Sequence, residues 1–277
     1  MTALATTPVK GLRLVQRDAV ALEPAGVPGN RAFYLIDDRA RLVNGKLVGV
    51  LAAVVADYEA GRAGDDAGES RDEAGEAGDG GGEAGEGRLT LTFPDGTIVS
   101  GAVGLGATVQ TRFFSRRPTA RLVEGAWSDA ISEFAGRPLR LVMADPQTGG
   151  VDRGRGGVVS LISTASVARL ERVADGREVD PRRFRMLIEV AGPVAHEEDR
   201  WVGRNVRIGT AVVAVRGHVG RCLVTSQDPD TGIVDLPTLD LLAYRRGLPT
   251  TEPLAFGVYG EVLDPGRVAI GDAVDLV

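Results

Sequence analysis

NVRIGTAVVAVRGHVGRCLVTSQDPDTG, residues 205–232, joins a run of β-branched and small apolar residues to a polar turn. Valines at 206, 212, 213, 215 and 219 suit a pleated surface packed on at least one face, which predicts a long strand here. CLVTSQ reads as a further strand-like run, and Asp-Pro-Asp-Thr-Gly at 228–232 is a turn signal. Between the apolar run and the turn stands Cys222, the only cysteine of the chain. Arg221 precedes it, and the hydroxyls of Thr225 and Ser226 follow.

Outward from this stretch the same pattern recurs. LRLVQRDAVALE (12–23), RAFYLIDD (31–38), the run from Leu47 to Tyr58, FRMLIEV (184–190) and the tail from Ala255 are strand-like and bounded by Gly, Pro and Asp. RLTLTF and TIVSGAV flank Pro94-Asp95-Gly96, a hairpin signal. Helices are few. WSDAISEFAG predicts a short one capped by Ser128 and ended by Gly136, STASVARLERVADG (163–176) an amphipathic one, and LPTLDLLAYRRG (236–247) a third. No βαβ alternation appears, so the expected fold is mainly β with a few helices, of the α+β class. With 277 residues the chain accommodates two modest domains, expected at 1–118 and 119–277.

Residues 61–87 stand apart. They carry nine Asp or Glu against Arg62 and Arg71, a net of −7, so the chain total of −6 leaves about +1 for the rest. With no β-branched or aromatic residue, this Gly/Ala/Glu segment is expected to be a disordered insertion in a hairpin.

A single cysteine excludes an intramolecular disulfide, a four-thiolate iron–sulfur cluster and a four-cysteine zinc site. With no leader-like N-terminus and no run of about 18 apolar residues, the expectation is a cytoplasmic protein, without membrane association and without a nucleic-acid partner. Gly-x-Ser-x-Gly and GxxxxGK[ST] are absent, and the histidines are His196 and His218, so neither a serine hydrolase nor a nucleotide-binding enzyme has a motif. A pyridoxal phosphate site is not expected either. His196 adjoins Glu197, Glu198 and Asp199, but neighbours on a loop point in different directions and make a poor metal site. Cys222 is the remaining candidate. A thiol at a strand end near a cation is suited to nucleophilic chemistry or to a soft metal, whereas a lone cysteine in a core is inert.

The segment HVGRCLVTSQDPDTG (218–232) resembles the Arg-Cys, Thr, Asp-Pro, Thr-Gly pattern of the MOSC family. VSLISTASVARL, RFRMLIEV, HEEDRWVGRNVRIG and LLAYR resemble further family segments in the same order, and TPVKGLRL and VPGNRAFYLID resemble the N-terminal MOSC β-barrel domain. The resemblance implies a β-barrel-like domain followed by a MOSC β-barrel domain. It also implies a molybdenum cofactor (molybdopterin) with Cys222 as metal ligand and catalytic centre. Lys10, Arg31, Ser163, Thr164, Arg185 and Thr225 match its cofactor-binding positions. The pattern departs at Met186 and Leu187, where the family commonly has Pro-Asn, and in the apolar stretch after Arg39.

Three functions stay open on these grounds. One is an oxidoreductase reducing a small N-hydroxylated or N-oxide compound with electrons from separate ferredoxin-, flavin- or haem-type proteins. The second is a carrier of persulfide sulfur or of molybdenum cofactor on Cys222. The third is a non-catalytic MOSC scaffold in which Cys222 is merely buried.

Overall fold

The computed structural model describes residues 1–61, 87–113, 116–145, 151, 154–192 and 194–277, so the expected insertion lies almost wholly outside the described residues. The valine-rich stretch forms the strand Ala211–Gly220, buried along nearly its whole length. On one side it pairs antiparallel with Asn205–Ile208, and on the other with Ala255–Asp264. Val159–Ser163 follows Ala255–Asp264 in the sheet, then Ile188–Val190, Ala3–Thr6 and Val15–Gln16, while Val274–Leu276 closes the other side of this eight-stranded order. Val159–Ser163 and Ile188–Val190 run parallel, and the helix Thr164–Val173 lies between them in the chain. Leu161, Ile188, Val206, Val213, Val215 and Val258 are fully or almost fully buried in the core on this sheet, where their removal from water is a favourable term in folding.

A second sheet orders Leu42–Val43, Phe33–Ile36, Arg140–Ala144, Thr119–Glu124 and Gly104–Gln110. Three more strands, Val55–Glu59, Arg88–Thr92 and Ile98–Ala102, pair as an antiparallel meander. The expected turn is present: Gly96 takes a positive φ of 87° and the Asp95 carboxylate accepts the Thr97 amide at 2.9 Å. Trp127 and Ile131, on the helix Trp127–Ala135, pack into the same core as Phe33, Leu51, Leu89 and Leu141.

The fold is mainly β with a few helices, as expected. Its hydrogen bonding crosses the expected boundary at 118/119 in four strand pairings. Thr119–Glu124 and Arg140–Ala144 belong to the first sheet system, whereas Ala3–Thr6 and Ala19–Leu22 pair with Ile188–Val190 and Gly266–Ala269 of the second half.

Three local expectations differ from the structure. The Leu47–Tyr58 run is a 3-10 turn over Gly49–Ala53 before its strand begins at Val55. Gly49 there lies so close to the Gly232 backbone that a Cβ would collide with the Gly232 carbonyl oxygen. Ser128 sits inside its helix rather than at the cap, and its hydroxyl accepts the Leu141 amide at 3.1 Å. CLVTSQ is not extended: Leu223–Ser226 is a 3-10 turn with Cys222 at its N-cap. Among the described residues no helix is long and apolar enough to cross a membrane.

Candidate functional site: a cationic cavity around Cys222

The strand Ala211–Gly220 delivers Arg221 and Cys222 to the edge of a cavity of about 570 Å³ between the two sheet systems. Cys222 is extended, with φ −134° and ψ 176°. Thr225 folds back on it, its amide and its hydroxyl donating to the Cys222 carbonyl at 3.0 and 2.9 Å. These two bonds fix the main chain of the turn. The thiol is exposed and lines the cavity, so a buried, inert Cys222, as the scaffold reading requires, is not what the structure shows.

Six cationic residues line the cavity, Lys10, Lys46, Arg31, Arg183, Arg185 and Arg221, against one carboxylate, Glu252, among the described residues. Arg31 and Arg185 both adopt the left-handed conformation at φ 53°. Such backbone costs of order 1–3 kcal/mol for a residue with a side chain and is retained where its surroundings impose it. The two are interlocked: Arg31 Nη2 donates to the Arg185 carbonyl at 2.8 Å, and Arg185 Nη2 to the Leu12 carbonyl at 2.6 Å. Burial and the neighbouring Arg185 guanidinium pull the Arg31 pKa down to about 9. Burial alone lowers that of Arg185 to about 10. Both remain charged at neutral pH, so the fold holds two guanidinium groups together in a partly desolvated wall, a ready receptor for an anion.

Lys10 joins this wall where its amide N–H donates a hydrogen bond to the Phe33 carbonyl at 2.8 Å, and its Nζ is 5.7 Å from the Phe113 ring centroid. Arg221 is turned toward the core: Nε donates to the Phe256 carbonyl and Nη1 to the Phe184 carbonyl, each at 2.8 Å, and Nη2 reaches the Met186 sulfur at 3.1 Å. Met186 and Leu187 are buried and give the cavity an apolar stretch of wall where the MOSC resemblance leads one to expect polar contacts.

The turn after Cys222 is clamped by ion pairs. Arg182 donates to both Asp230 oxygens at 2.9 and 2.8 Å while also holding Asp180, and those carboxylates raise its pKa. Arg13, from the first half, donates to the Asp230 carbonyl at 2.8 Å. Arg183 makes a bidentate pair with Asp235 at 2.6 and 2.7 Å. Gln227 Nε2 donates to the Gly45 carbonyl at 2.8 Å.

The structure therefore gathers Lys10, Arg31, Arg185, Cys222 and Thr225 around one cavity and leaves Ser163 and Thr164 out of its lining. Ser163 caps the helix Thr164–Val173, accepting the Ser166 amide at 3.1 Å. Fully buried Glu198 accepts the Ser163 amide at 3.1 Å and the Ser166 hydroxyl at 2.7 Å. The anion at this helix N-terminus is the chain's own carboxylate. His196 is packed against Tyr244 and Phe256, with Nε2 3.1 Å from the Tyr244 hydroxyl; burial, and then Arg245, lower its pKa to about 4. Sequence reasoning missed Arg13, Arg183 and Glu252. The run Arg182-Arg183-Phe184-Arg185 signalled the arginines, but nothing near Glu252 in sequence marks it.

Residues 149–275 match the family model described as MOSC domain. Mitochondrial amidoxime reducing component 2 of Bos taurus is 34% identical over 124 residues, covering 42% of this chain and 36% of that protein. Mitochondrial amidoxime-reducing component 1 of Homo sapiens is 31% identical over 124 residues with the same coverage. The matched stretch is thus little more than a third of the length of these curated relatives. Among solved structures, the YUAD protein from Bacillus subtilis aligns over 99% of this chain and 94% of its own at 12% identity and a TM-score of 0.44. YiiM from Geobacillus stearothermophilus aligns over 45% and 56% at 21% identity and a TM-score of 0.34. Residues 149–275, which carry Cys222, Thr225 and Arg185, are a MOSC domain.

Proposed function

We propose that this chain is a molybdenum-cofactor-dependent oxidoreductase that reduces N-hydroxylated or N-oxide compounds. The observation that carries this reading is the exposed Cys222 thiol in the same cavity as Lys10, Arg31 and Arg185. The donor set suits the cofactor. A soft thiolate matches a high-valent, sulfur-ligated metal, and a cationic wall matches a pterin phosphate. Cys222 would ligate the metal, and Lys10, Arg31 and Arg185 would hold the phosphate. When bound, the molybdenum centre supplies two-electron redox chemistry and accepts an oxygen atom.

The chain's own residues contribute positioning. Thr225 ties down the Cys222 carbonyl and thereby fixes where the thiol stands. Arg13 and Arg182, gripping Asp230 from opposite halves, keep the turn beyond it from drifting. Met186 and Leu187 give one side of the cavity an apolar wall. Reduction of an N-hydroxylated base to the base and water consumes two electrons and two protons. With one cysteine and two histidines this chain cannot assemble an iron–sulfur cluster of its own, so the electrons come from separate ferredoxin-, flavin- or haem-type proteins. A lone reduced thiol suits a reducing compartment such as the cytoplasm.

Elemental molybdenum analysis with pterin detection, on wild type and Cys222→Ala from a cofactor-producing host, tests the reading. Molybdenum near one per chain, lost in Cys222→Ala, is the expected result. Absence from both, together with a reducible extra sulfur on Cys222 by mass spectrometry, would replace the oxidoreductase by a persulfide carrier, which the exposed thiol also suits.

A further inference from the structure

Three arginines stand side by side at one end of the sheet that holds Phe33–Ile36. Arg41 and Arg112 are partners in a parallel bridge, in which the Arg112 amide donates to the Ala40 carbonyl at 2.8 Å and the Leu42 amide to the Arg112 carbonyl at 3.0 Å. On its other side Arg112 faces Arg117. Gln110 pairs with Thr119, and Phe113 with Arg116, in one antiparallel register. That register sets Arg112 opposite Arg117 at a position without ladder hydrogen bonds, where facing side chains come closest. Bridge partners project to the same face, so the three guanidinium groups form a row. All three residues are exposed, and exposed Arg39 adds a fourth charge two positions before Arg41.

Like charges directly opposite one another destabilise a sheet. Here they are little compensated. Asp37 accepts from Arg41 Nε at 2.8 Å, whereas Arg112 and Arg117 have no carboxylate partner among the described residues. A row kept against its own repulsion is a receptor for carboxylates from outside, which planar guanidinium forks bind bidentately. The row also adjoins the cavity. Arg112 precedes Phe113, whose ring centroid lies 5.7 Å from Lys10 Nζ and 5.4 Å from the Arg116 guanidinium carbon. Arg116 Nη2 donates to the Val151 carbonyl at 3.4 Å, and Lys10 and Val151 both line the cavity.

We infer that the row Arg41, Arg112 and Arg117 is the docking surface for the electron-donating protein, whose matching face carries clustered Asp and Glu. This rests on the oxidoreductase reading, which calls for such a donor, and adds where it binds and through which charges. A protein with one local acidic patch fits the row better than a nucleic acid or an anionic membrane. The chain as a whole carries −6 and repels an extended polyanion, while the arginines attract at contact range.

The test is calorimetric titration of an acidic [2Fe–2S] ferredoxin and of an acidic flavodoxin into the full-length wild type and the double variant Arg112→Gln/Arg117→Gln. At least one carrier is expected to bind wild type, and the double variant to bind it about tenfold more weakly at low salt, with the difference shrinking as salt is added. Because the variant removes a repulsion, its Tm should hold or rise, whereas loss of a structural arginine pair would lower it. Neither carrier binding wild type, equal affinity in the two proteins, or tighter binding of duplex DNA or of phosphatidylserine vesicles than of either carrier would overturn the assignment. Reduction of benzamidoxime by the cofactor-loaded protein with reduced methyl viologen, a small dye that needs no docking surface, separates the two claims. Dye-driven turnover with carrier binding indifferent to the variant sinks the docking row alone. Charge-dependent carrier binding without dye-driven turnover supports the row as a surface for an acidic protein and sinks the oxidoreductase reading.

Discussion

Replacing Arg31 by glutamine should make the cofactor-free protein slightly more stable and a poorer receptor for phosphate. The Arg31 guanidinium has its pKa lowered from the ordinary arginine range to about 9, chiefly by burial and then by Arg185. At about 1.36 kcal/mol per tenfold change in proton affinity, this bounds the penalty on the charged form at about 5 kcal/mol. The cavity wall is reached by water, which screens both charges, and about 1–2 kcal/mol is the realistic share. Against it stands the bond from Arg31 Nη2 to the Arg185 carbonyl, worth about 1 kcal/mol, which a glutamine amide recovers only in part. The net is about 0–1 kcal/mol of stabilisation, or up to about 4 °C in Tm for a chain of this size.

The sign with pH follows from the same shift. A base with a depressed folded-state pKa carries its full penalty below about 9, and that penalty is lost as pH rises from 9 towards the ordinary arginine range, because the folded protein releases its proton first. The gap between variant and wild type should therefore be constant from pH 6 to 8 and narrow above 9. Thermal unfolding with and without millimolar pyrophosphate reads both quantities. Wild type should gain more from pyrophosphate than Arg31→Gln does, because two adjacent guanidinium groups become one. If Arg31→Gln lost 2 kcal/mol or more and responded to pyrophosphate like wild type, Arg31 would be a structural arginine and the anion-receptor argument would fail.

Two further outcomes are expected inside the MOSC domain. His196, lowered to about 4 by burial and by Arg245, is neutral in the fold but protonates in the unfolded chain near 6.5, so wild type loses about 1–2 kcal/mol, after discounting for partial exposure, as pH falls from 6.5 towards 4. His196→Phe should flatten that limb in urea titrations, and an unchanged slope would refute the attribution. Glu198→Ala should cost about 2–3 kcal/mol in urea unfolding, because it strands the Ser163 amide and the Ser166 hydroxyl in a fully buried place, whereas Glu198→Gln should cost less.

Much of the fold was legible because β-branched runs and Pro/Gly punctuation are local signals. The Ala211–Gly220 strand, the Asp95–Gly96 turn and the Thr164–Val173 helix stand where those signals lie. The failures are equally local in cause. CLVTSQ has the composition of a strand, but the bonds from Thr225 to the Cys222 carbonyl wind it into a 3-10 turn. Leu47–Val54 reads as extended, yet close packing of Gly49 on Gly232, 183 positions away in the chain, accompanies a helical turn there. Ser163 and Thr164 form the expected helix start, but no pattern indicated that Glu198, 35 residues on, would supply its anion. Of the site itself, Cys222, Lys10, Arg31 and Arg185 were marked by sequence, while Glu252 was not, because its carboxylate is seated on the amide of Gly220, 32 positions away in the chain.

The crossing of chain segments between the two halves bears on what the domain at 149–275 can do alone. Arg31 and Lys10 come from outside it, and Arg31 is fastened to the Arg185 carbonyl inside it, as Arg185 is fastened to Leu12 outside. Each guanidinium is thus anchored by the other half's main chain, so loosening either half would release both cations at once. Asp230 repeats the arrangement, with Arg13 on its carbonyl from one half and Arg182 on its carboxylate from the other. The strands Ala3–Thr6 and Ala19–Leu22 extend the dependence to the backbone, since their pairing partners are Ile188–Val190 and Gly266–Ala269. The thiol-bearing turn therefore owes its geometry to residues that precede the MOSC match by more than a hundred positions. The cationic wall, for its part, keeps its spacing only while the two halves remain hydrogen-bonded to each other.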